Sequence, residues 1–237
     1  MALQLAREEP EAGPWRAEPL TAVIEGLIRR EPNRSAAVGR PFILAVDGRS
    51  NAGKTTLAGR IRAAVPGTVV VHTDDVAWEH SRFGWSDLLA DGILRPARDG
   101  RPASYRPPPW AERGRAGSID VPVDCALLIV EGDGAGRREV AELIDAVVWV
   151  QSDEREAARR SRARSAQADA IDSANAPADG SPPDDDGWMA EEVPFNTDQR
   201  TWERADLIVC GTPEIGFDPA TEIVVAMSGS ERRPGGR

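Results

Sequence analysis

One short run constrains the fold of this chain more than any other feature. Residues 48–55 read Gly-Arg-Ser-Asn-Ala-Gly-Lys-Thr and fit the pattern G-x-x-x-x-G-K-[ST]. The apolar run 41–46 before it suits a buried strand, and Leu57, Ile61 and Val65 after it have helical spacing. A glycine-rich loop between a strand and a helix is the context that this motif requires. The sequence therefore predicts a phosphate-binding loop in an α/β domain.

The loop holds the only lysine of the chain. Of the 29 basic residues, Lys54 alone is a lysine and every other is an arginine. Lysine offers a compact point charge on a flexible stem, whereas arginine offers a planar fork. We expect Lys54 to reach the β- and γ-phosphates of ATP and the Thr55 hydroxyl to bind Mg²⁺. The residues expected to hold the nucleotide are Gly48, Ser50, Asn51, Ala52, Gly53, Lys54, Thr55 and Thr56.

The overall charge argues against nucleic-acid binding. The chain has 29 basic and 39 acidic residues and a net charge of −10, whereas nucleic-acid-binding domains present a basic surface. Its apolar runs are too short to span a bilayer, and its N-terminus lacks the apolar stretch of a secretory signal. Cys125 and Cys210 lie in apolar runs and are expected to be buried, reduced thiols. These features predict a cytoplasmic protein without a nucleic-acid or membrane partner.

Acidic residues follow two further predicted strands. The run 68–73 ends at Asp74 and Asp75, and the run 126–130 ends at Glu131. Ligands of open α/β sheets bind outside the carboxyl ends of the strands, so Asp74 and Glu131 are expected to face the phosphate-binding loop. Asp74 can accept the proton of an attacking hydroxyl, and Glu131 can hold magnesium with Thr55. The alternative is that these acidic residues merely begin turns.

The order of these motifs resembles the uridine kinase and phosphoribulokinase family of P-loop kinases. The resemblance rests on GRSNAGKTT, HTDD, ASYRPPPW, LLIVEG and the arginine-rich run 155–164, which lie within residues 40–165. It implies that Asp74 is the catalytic base beside the acceptor hydroxyl. It also implies a lid over the phosphates, and Arg159 and Arg160 are its candidate catalytic residues. The other arginines that the resemblance places in this lid are Arg155, Arg162 and Arg164, and a solvated basic face is the alternative.

The acceptor site departs from the family pattern. Uridine kinases read the pyrimidine with a tyrosine and a histidine five positions later, whereas here Trp110 follows Tyr105 at that distance. Tryptophan cannot replace the hydrogen bonds of the histidine, which argues against uridine as the acceptor. Aromatic side chains suit a concave site that stacks a ring or packs an aliphatic body. The candidate acceptor-binding residues are Asp74, Trp78, Trp85, Tyr105, Arg106 and Trp110, and a structural role for the tryptophans stays open.

The predicted fold is a three-layer α/β domain with a parallel sheet of about five strands, helices on both faces and an arginine-rich lid. An amphipathic helix is predicted over 17–31, ahead of the first strand of this sheet. The predicted divisions are a flexible N-terminus (1–16), a core (17–164) with an acceptor-site insertion (about 76–118), a disordered or mobile insertion (165–187), the C-terminal part of the core (188–226) and a flexible tail (227–237).

The sequence predicts an ATP- and magnesium-dependent phosphotransferase that acts on a hydroxyl of a small-molecule acceptor. The acceptor can be nucleoside-like, or a sugar, an amino alcohol or a vitamin precursor. The alternative from another class is a nucleotide-binding regulatory or assembly module with slow ATPase activity. The chain lacks an N-K-x-D motif, which argues against a GTPase. The oligomeric state is left open, and a homodimer is compatible with the sequence.

Overall fold

The structure is a computed structural model that describes residues 3–5, 8–30, 39–172 and 185–227, with side chains described except at 164–172, 185–189 and 227. This part of the chain contains nine strands. They are β1 (Arg16–Pro19), β2 (Phe42–Gly48), β3 (Thr68–His72), β4 (Ala103–Tyr105), β5 (Ile119–Val121), β6 (Leu127–Glu131), β7 (Ala146–Gln151), β8 (Leu207–Cys210) and β9 (Glu222–Met227).

Seven of the strands form one central sheet in the order β1-β9-β8-β7-β2-β6-β3. The five strands from β8 to β3 in this order run parallel, with β2 at their centre. The predicted α/β fold with about five parallel strands is therefore confirmed. β9 and β1 extend the sheet as antiparallel strands. The predicted helix over 17–31 is wrong at its start, because residues 16–19 pair with β9 and the helix begins at Leu20.

The helical segments follow the strands in the alternation expected of an α/β domain. They are α1 (Leu20–Arg30), α2 (Lys54–Ala64), α3 (Thr73–Ala77), α4 (Ser86–Leu89), a π-helical turn (Ala90–Leu94), α5 (Arg95–Arg98), α6 (Pro108–Glu112), a 3₁₀ helix (Arg138–Leu143), α7 (Glu154–Asp172), α8 (Asp185–Gln199) and α9 (Thr201–Arg204).

Helices cover both faces of the sheet. Successive side chains of a strand point to opposite faces, so β2 contributes to two separate cores. Leu44 packs in one core with α1 and α2, whereas Ile43 packs in the other with α4, the π-helical turn and α5. Burying one leucine or isoleucine side chain stabilises a fold by about 1.5–3 kcal/mol, so these cores hold the three layers together.

Residues 76–118, predicted to carry the acceptor site, lie between β3 and β6. They contain α4 to α6 and β4, which forms a separate antiparallel pair with β5 directly after this segment. Tyr105 ends β4 and faces Ile119 across this pair. The helices α4 and α5 of this segment thus pack on one face of the main sheet.

The N-terminal segment, predicted to be flexible over 1–16, makes specific contacts at several of its described residues, among them Gln4 and Glu9. The Glu9 carboxylate is buried and accepts hydrogen bonds from Trp149 Nε1 at 2.7 Å and Gln151 Nε2 at 2.9 Å. The backbone N–H of Gln4 donates to Asp153 Oδ2 at 2.8 Å, beside the start of α7. A sequence pattern does not reveal such contacts, because their partners lie about 140 residues away.

The predicted insertion over 165–187 is helical at both of its ends. α7 continues to Asp172 and α8 begins at Asp185, while residues 173–184 lie outside the described part of the chain. β9 ends at Met227, which is the first residue of the predicted flexible tail. Residues 228–237 lie outside the described part of the chain. Within the described ranges, no helix combines the length and the apolar character needed to cross a membrane.

Candidate active site

The glycine-rich loop joins β2 to α2 at the centre of the parallel sheet. Gly48 ends β2 with a φ of 150°, and a Cβ at this position would lie 2.6 Å from the Val150 carbonyl oxygen. Gly53 has a φ of 106° and precedes the first residue of α2. Glycine suits both positions because it lacks the side chain that would clash or strain the backbone. The loop leads directly into α2, whose N-terminus adds a partial positive charge to the predicted phosphate-binding site.

Lys54 is buried at the end of this loop, where α2 begins. Its Nζ lies 2.7 Å from Asp133 Oδ1 and 2.8 Å from the Arg49 carbonyl oxygen. Burial by itself would lower the pKa of Lys54, but the carboxylates of Asp133 and Asp47 outweigh it and raise the pKa above its ordinary value. The ammonium is therefore a fixed positive charge at the place where the sequence predicts one.

Thr55 and Glu131, the predicted magnesium ligands, lie side by side. Thr55 Oγ1 is 3.2 Å from Glu131 Oε1 and 3.3 Å from Oε2. His72 Nδ1 lies 2.5 Å from the same Oε1, and this hydrogen bond raises the pKa of His72. Hydroxyl and carboxylate oxygens are hard ligands of the kind that Mg²⁺ takes, so the pair fits the ion.

A magnesium ion at this place would depend on the nucleotide for further ligands. Among the described residues, no group of three or more His, Cys, Asp or Glu side chains is arranged to hold a metal ion. Mg²⁺ commonly uses only one or two protein groups and completes its shell with phosphate oxygens and water. Thr55 and Glu131 match this pattern.

Asp74 lies in the first turn of α3, at the carboxyl end of β3. It lines a cavity of about 1280 Å³ together with Lys54, Thr55, Glu131 and Asp133. Desolvation raises the pKa of Asp74, and the neighbouring charge of Asp133 raises it further. The structure therefore brings the predicted base into the same cavity as the loop and the predicted magnesium ligands.

A second, smaller cavity of about 180 Å³ adjoins Asp74. Its walls are Thr73, Asp74, Ala77, Trp78, His80, Arg82, Trp85 and Asp133. Asp74 and Asp133 line both this small cavity and the large one, so they lie where the two meet. Of the predicted acceptor-binding aromatic residues, Trp78 and Trp85 reach this place.

Trp110, Arg106 and Tyr105 do not line the small cavity. Trp110 is buried, and its Nε1 donates to the Asp75 carbonyl oxygen at 2.8 Å. Arg106 donates to the carbonyl oxygen of Arg115 at 2.6 Å, and the Arg115 guanidinium lies 3.6 Å from the centre of the Trp110 ring. Tyr105 lines another cavity, of about 370 Å³. These contacts favour the structural alternative for Trp110, and the Arg106 guanidinium bonds a backbone carbonyl of its own chain.

Two of the predicted lid arginines differ in their surroundings. Arg160 Nη2 donates to the Gly211 carbonyl oxygen at 3.0 Å, and its Nη1 lies 3.4 Å from the Asn51 carbonyl oxygen in the phosphate-binding loop. Arg159 pairs with Glu156 at 2.7 Å, and two thirds of its side chain is exposed. Both line the large cavity, as Arg162 does. The Arg164 side chain lies outside the described part of the chain.

The large cavity continues from the phosphate-binding loop towards the connection between β8 and β9. There its wall is mostly apolar and includes Pro213, Phe217, Pro219 and Ile223. Arg60 of α2 also borders this end. An apolar wall with few polar groups is typical of a pocket that packs a flat organic ring. The cavity thus has a charged end and an apolar end.

Three buried carboxylates of the site were missed by the sequence analysis. Asp47 accepts backbone hydrogen bonds from Gly48, Gly134 and Gly136 at 2.8–3.0 Å, and its burial raises its pKa to about 6. Asp133 bonds Lys54 as described. Its place two residues after Glu131, at the end of β6, is a signal that could have revealed it.

Glu192 is the third of these carboxylates and had no sequence signal. Its Oε1 accepts the backbone N–H of Ser50 at 2.6 Å, across 142 positions of the chain. Burial raises its pKa to about 7, and the neighbouring Asp133 adds to this shift. A helical position in α8 gives no indication of such a contact. Two carboxylates of the chain, those of Asp133 and Glu192, thus accept hydrogen bonds from the phosphate-binding loop.

No protein-family model and no curated protein matches the chain. Its structure is similar to that of a protein from Bacillus stearothermophilus provisionally assigned as a uridine kinase (18 % identity, 78 % of this chain and 98 % of that chain covered, TM-score 0.46). A protein from Silicibacter sp. TM1040 provisionally assigned as a fructose transport system kinase is also similar (15 % identity, 78 % and 91 % covered, TM-score 0.44).

A third similar structure is that of the YGR205w protein (10 % identity, 88 % of this chain and 98 % of that chain covered, TM-score 0.49). These three similarities are too distant to carry an argument about activity. The function of the chain is therefore inferred from the residues of its own site.

Proposed function

We propose that this chain is an ATP-dependent phosphotransferase that moves the γ-phosphoryl group of ATP to a hydroxyl of a small molecule. The observation that carries this proposal is the position of Asp74. It lies where a large cavity that contains the phosphate-binding loop meets a small cavity beside two tryptophans. A base between a phosphate donor and an acceptor is the arrangement that phosphoryl transfer needs.

The large cavity is the donor site. Lys54 holds the outer phosphates from within the loop, and Arg160 lies across the same loop. The apolar end beside Phe217 and Pro219 receives the adenine ring. At about 1280 Å³ the cavity exceeds the 300–1,000 Å³ that ligand pockets commonly offer, so a nucleoside triphosphate has room in it.

Thr55 and Glu131 hold magnesium when ATP is bound. The ion would offset the charge of the phosphate oxygens. Residues of the chain would fix the position of the ion, because the Glu131 carboxylate is itself held by its hydrogen bond with His72. This outer contact fixes the carboxylate beside the Thr55 hydroxyl.

The small cavity is the acceptor site. The acceptor hydroxyl gives its proton to Asp74 as its oxygen bonds to the γ-phosphorus, and the bond from that phosphorus to the leaving oxygen of ADP breaks. A cavity of about 150 Å³ can hold benzene, so a cavity of about 180 Å³ suits a compact acceptor against the Trp78 ring. A full nucleoside, with a sugar and a base, would have to reach beyond it.

The second candidate is a regulatory or assembly module that binds ATP and hydrolyses it slowly. It is favoured by one observation, namely that the carboxylates of Asp133 and Glu192 occupy the phosphate-binding loop. Such a module would release ADP at the same slow rate with or without an acceptor. Dependence of ADP release on an acceptor therefore separates the two candidates.

The proposed function is tested by ADP release from ATP and magnesium with a panel of nucleosides, sugars, amino alcohols and hydroxy acids. At least one compact acceptor is expected to accelerate ADP release. Lys54→Ala is expected to lower that rate by about 10²–10³-fold, because it removes a fixed positive charge from the transferring group. Arg62→Ala removes an exposed cation from the same helix and serves as the control. Equal losses in both variants would contradict the role of Lys54.

Arg160→Ala is expected to lower kcat/KM for ATP by about 10–100-fold, the effect of one lost hydrogen bond to a charged group. Steady-state kinetics with the acceptor found above measures this change. Arg155 is exposed at the start of the same helix and does not line the large cavity, so Arg155→Ala is the matched control. A loss in Arg155→Ala as large as that in Arg160→Ala would show that the charge of the helix matters and the position of Arg160 does not.

A further inference from the structure

Glu192 places a carboxylate oxygen where the phosphate-binding loop offers a backbone N–H. Glu192 Oε1 lies 2.6 Å from the Ser50 nitrogen, and Glu192 is only 1 % exposed. Backbone N–H groups of such loops are the donors that phosphate oxygens accept. The Glu192 carboxylate thus accepts a loop donor of the kind that a phosphate oxygen accepts.

The neighbouring charges fit this interpretation. Asp133 bonds both Lys54 Nζ at 2.7 Å and Ser50 Oγ at 2.9 Å, so the cation and the hydroxyl of the loop are also held by a carboxylate. Glu192 and Asp133 together bring two acidic groups to a loop that attracts anions. Glu192 accepts the Ser50 N–H, and Asp133 accepts Lys54 Nζ and Ser50 Oγ.

The two carboxylates are anchored differently. Asp133 belongs to the turn after β6, and the backbone of that turn is fixed by Asp47, which accepts the N–H groups of Gly134 and Gly136. Glu192 projects from α8, which comes from a distant part of the chain. An anion that enters the loop can therefore displace Glu192 without breaking the turn that carries Asp133.

We infer that Glu192 is an internal competitor of ATP, whose carboxylate fills the phosphate-binding loop until the phosphates displace it. The phosphates and the deprotonated Glu192 carboxylate are all negative, and like charges within a few ångströms repel strongly in a buried site. They also need the same Ser50 N–H. Occupation of the loop by one therefore excludes the other.

Displacement of Glu192 is also linked to the small cavity, because α8 contacts a residue in the wall of that cavity. Glu191 pairs with Arg82 at 3.4 Å, and the Phe195 ring stacks on Phe83 with their centres 4.0 Å apart. Arg82 is part of the wall of the small cavity. Release of Glu192 therefore acts on a helix that also contacts the acceptor side of the site.

The test is the affinity of the full chain for ATP with magnesium, measured by calorimetry without any acceptor. Glu192→Ala is expected to bind ATP about tenfold more tightly or better, because ATP no longer has to break a hydrogen bond to a charged group. Glu192→Gln keeps the shape and loses the charge, so a smaller gain is expected. Glu25→Gln removes an exposed charge from α1 and controls for net charge.

Unchanged or weaker ATP binding in both Glu192 variants would overturn the inference. Because the inference rests on the proposed function, the acceptor panel described above is run on the same proteins. Tighter ATP binding without transfer to any acceptor would support the competitor and count against the kinase. Transfer by the unaltered chain without a gain in affinity in either variant would support the kinase and overturn the competitor.

Discussion

Asp74→Asn is expected to lower the rate of phosphoryl transfer by about 10²–10⁴-fold, the usual contribution of a general base. Asparagine has nearly the same size as aspartate but cannot take the proton of the acceptor hydroxyl. Because asparagine keeps the shape of the side chain beside the loop, ATP affinity is expected to change little. Single-turnover kinetics at saturating ATP measures the effect on the chemical step alone.

Asp75→Asn provides the matched control for this substitution. Asp75 is the next residue of the same helix, but its carboxylate pairs with Arg115 at 2.5 Å and does not line either cavity. The same chemical change at position 75 is therefore expected to leave the transfer rate within about threefold, since partly exposed ion pairs contribute little. Full transfer activity in Asp74→Asn with ATP still bound would show that Asp74 is not the base.

The pH dependence of the transfer rate provides a second test of the role of Asp74. Burial and the charge of Asp133 raise its pKa, so the carboxylate is protonated at a higher pH than that of an ordinary aspartate. A base works only when it is deprotonated, so the transfer rate is expected to rise with pH through this raised pKa. This acid limb of the pH–rate profile should disappear in Asp74→Asn.

Asp145→Ala is expected to lower the free energy of unfolding by about 3–5 kcal/mol, the cost of leaving a buried charge without its partner. The Asp145 carboxylate is fully buried and accepts hydrogen bonds from Arg40 at 2.7 and 3.0 Å, Arg98 at 3.0 Å and the Ile43 N–H at 2.9 Å. It thereby ties β2 and α5 to the start of β7. Urea denaturation measures the loss.

Asp99→Ala is the control for the stability experiment. Asp99 pairs with Arg101 at 2.9 Å, but more than 60 % of each of these side chains is exposed. Its removal is expected to cost at most about 1 kcal/mol, because solvent screens the pair. A loss in Asp145→Ala no larger than that in Asp99→Ala would mean that the buried network contributes little to the stability of the fold.

The sequence predicted the part of the fold that depends on local patterns. The phosphate-binding loop, the parallel strands around it and the position of Asp74 at a strand end all follow from short motifs and hydrophobic runs. They are predictable because the carboxyl ends of parallel strands meet at one edge of a sheet. The proximity of Thr55 and Glu131 is a consequence of this rule.

The parts that were missed depend on contacts between distant residues. β1 has only four residues, and its pairing with β9 joins the two ends of the described chain. Glu192 meets Ser50 in the same way, through tertiary packing of α8. No local pattern encodes either contact, since hydrophobic spacing reports only which face of an element is buried.

The tryptophans show a second limit of sequence reasoning. Trp78 and Trp110 have the same side chain, yet one lines the small cavity and the other donates its N–H to the backbone of Asp75. Aromatic side chains serve both binding sites and cores, and composition cannot distinguish the two uses. The difference arises because Trp110 belongs to α6 and points from that helix into the core, where it is buried.

The central claim is transfer of a phosphoryl group to a hydroxyl, and it is tested most directly with ATP labelled at the γ-phosphorus. The label is followed into the acceptor that gives the fastest ADP release. The account predicts that it appears in a phosphate ester of the acceptor, in an amount equal to the ADP formed, and that Asp74→Asn abolishes most of this product. Label found only in inorganic phosphate, at a rate that no acceptor changes, would contradict the account and favour a slow ATPase module.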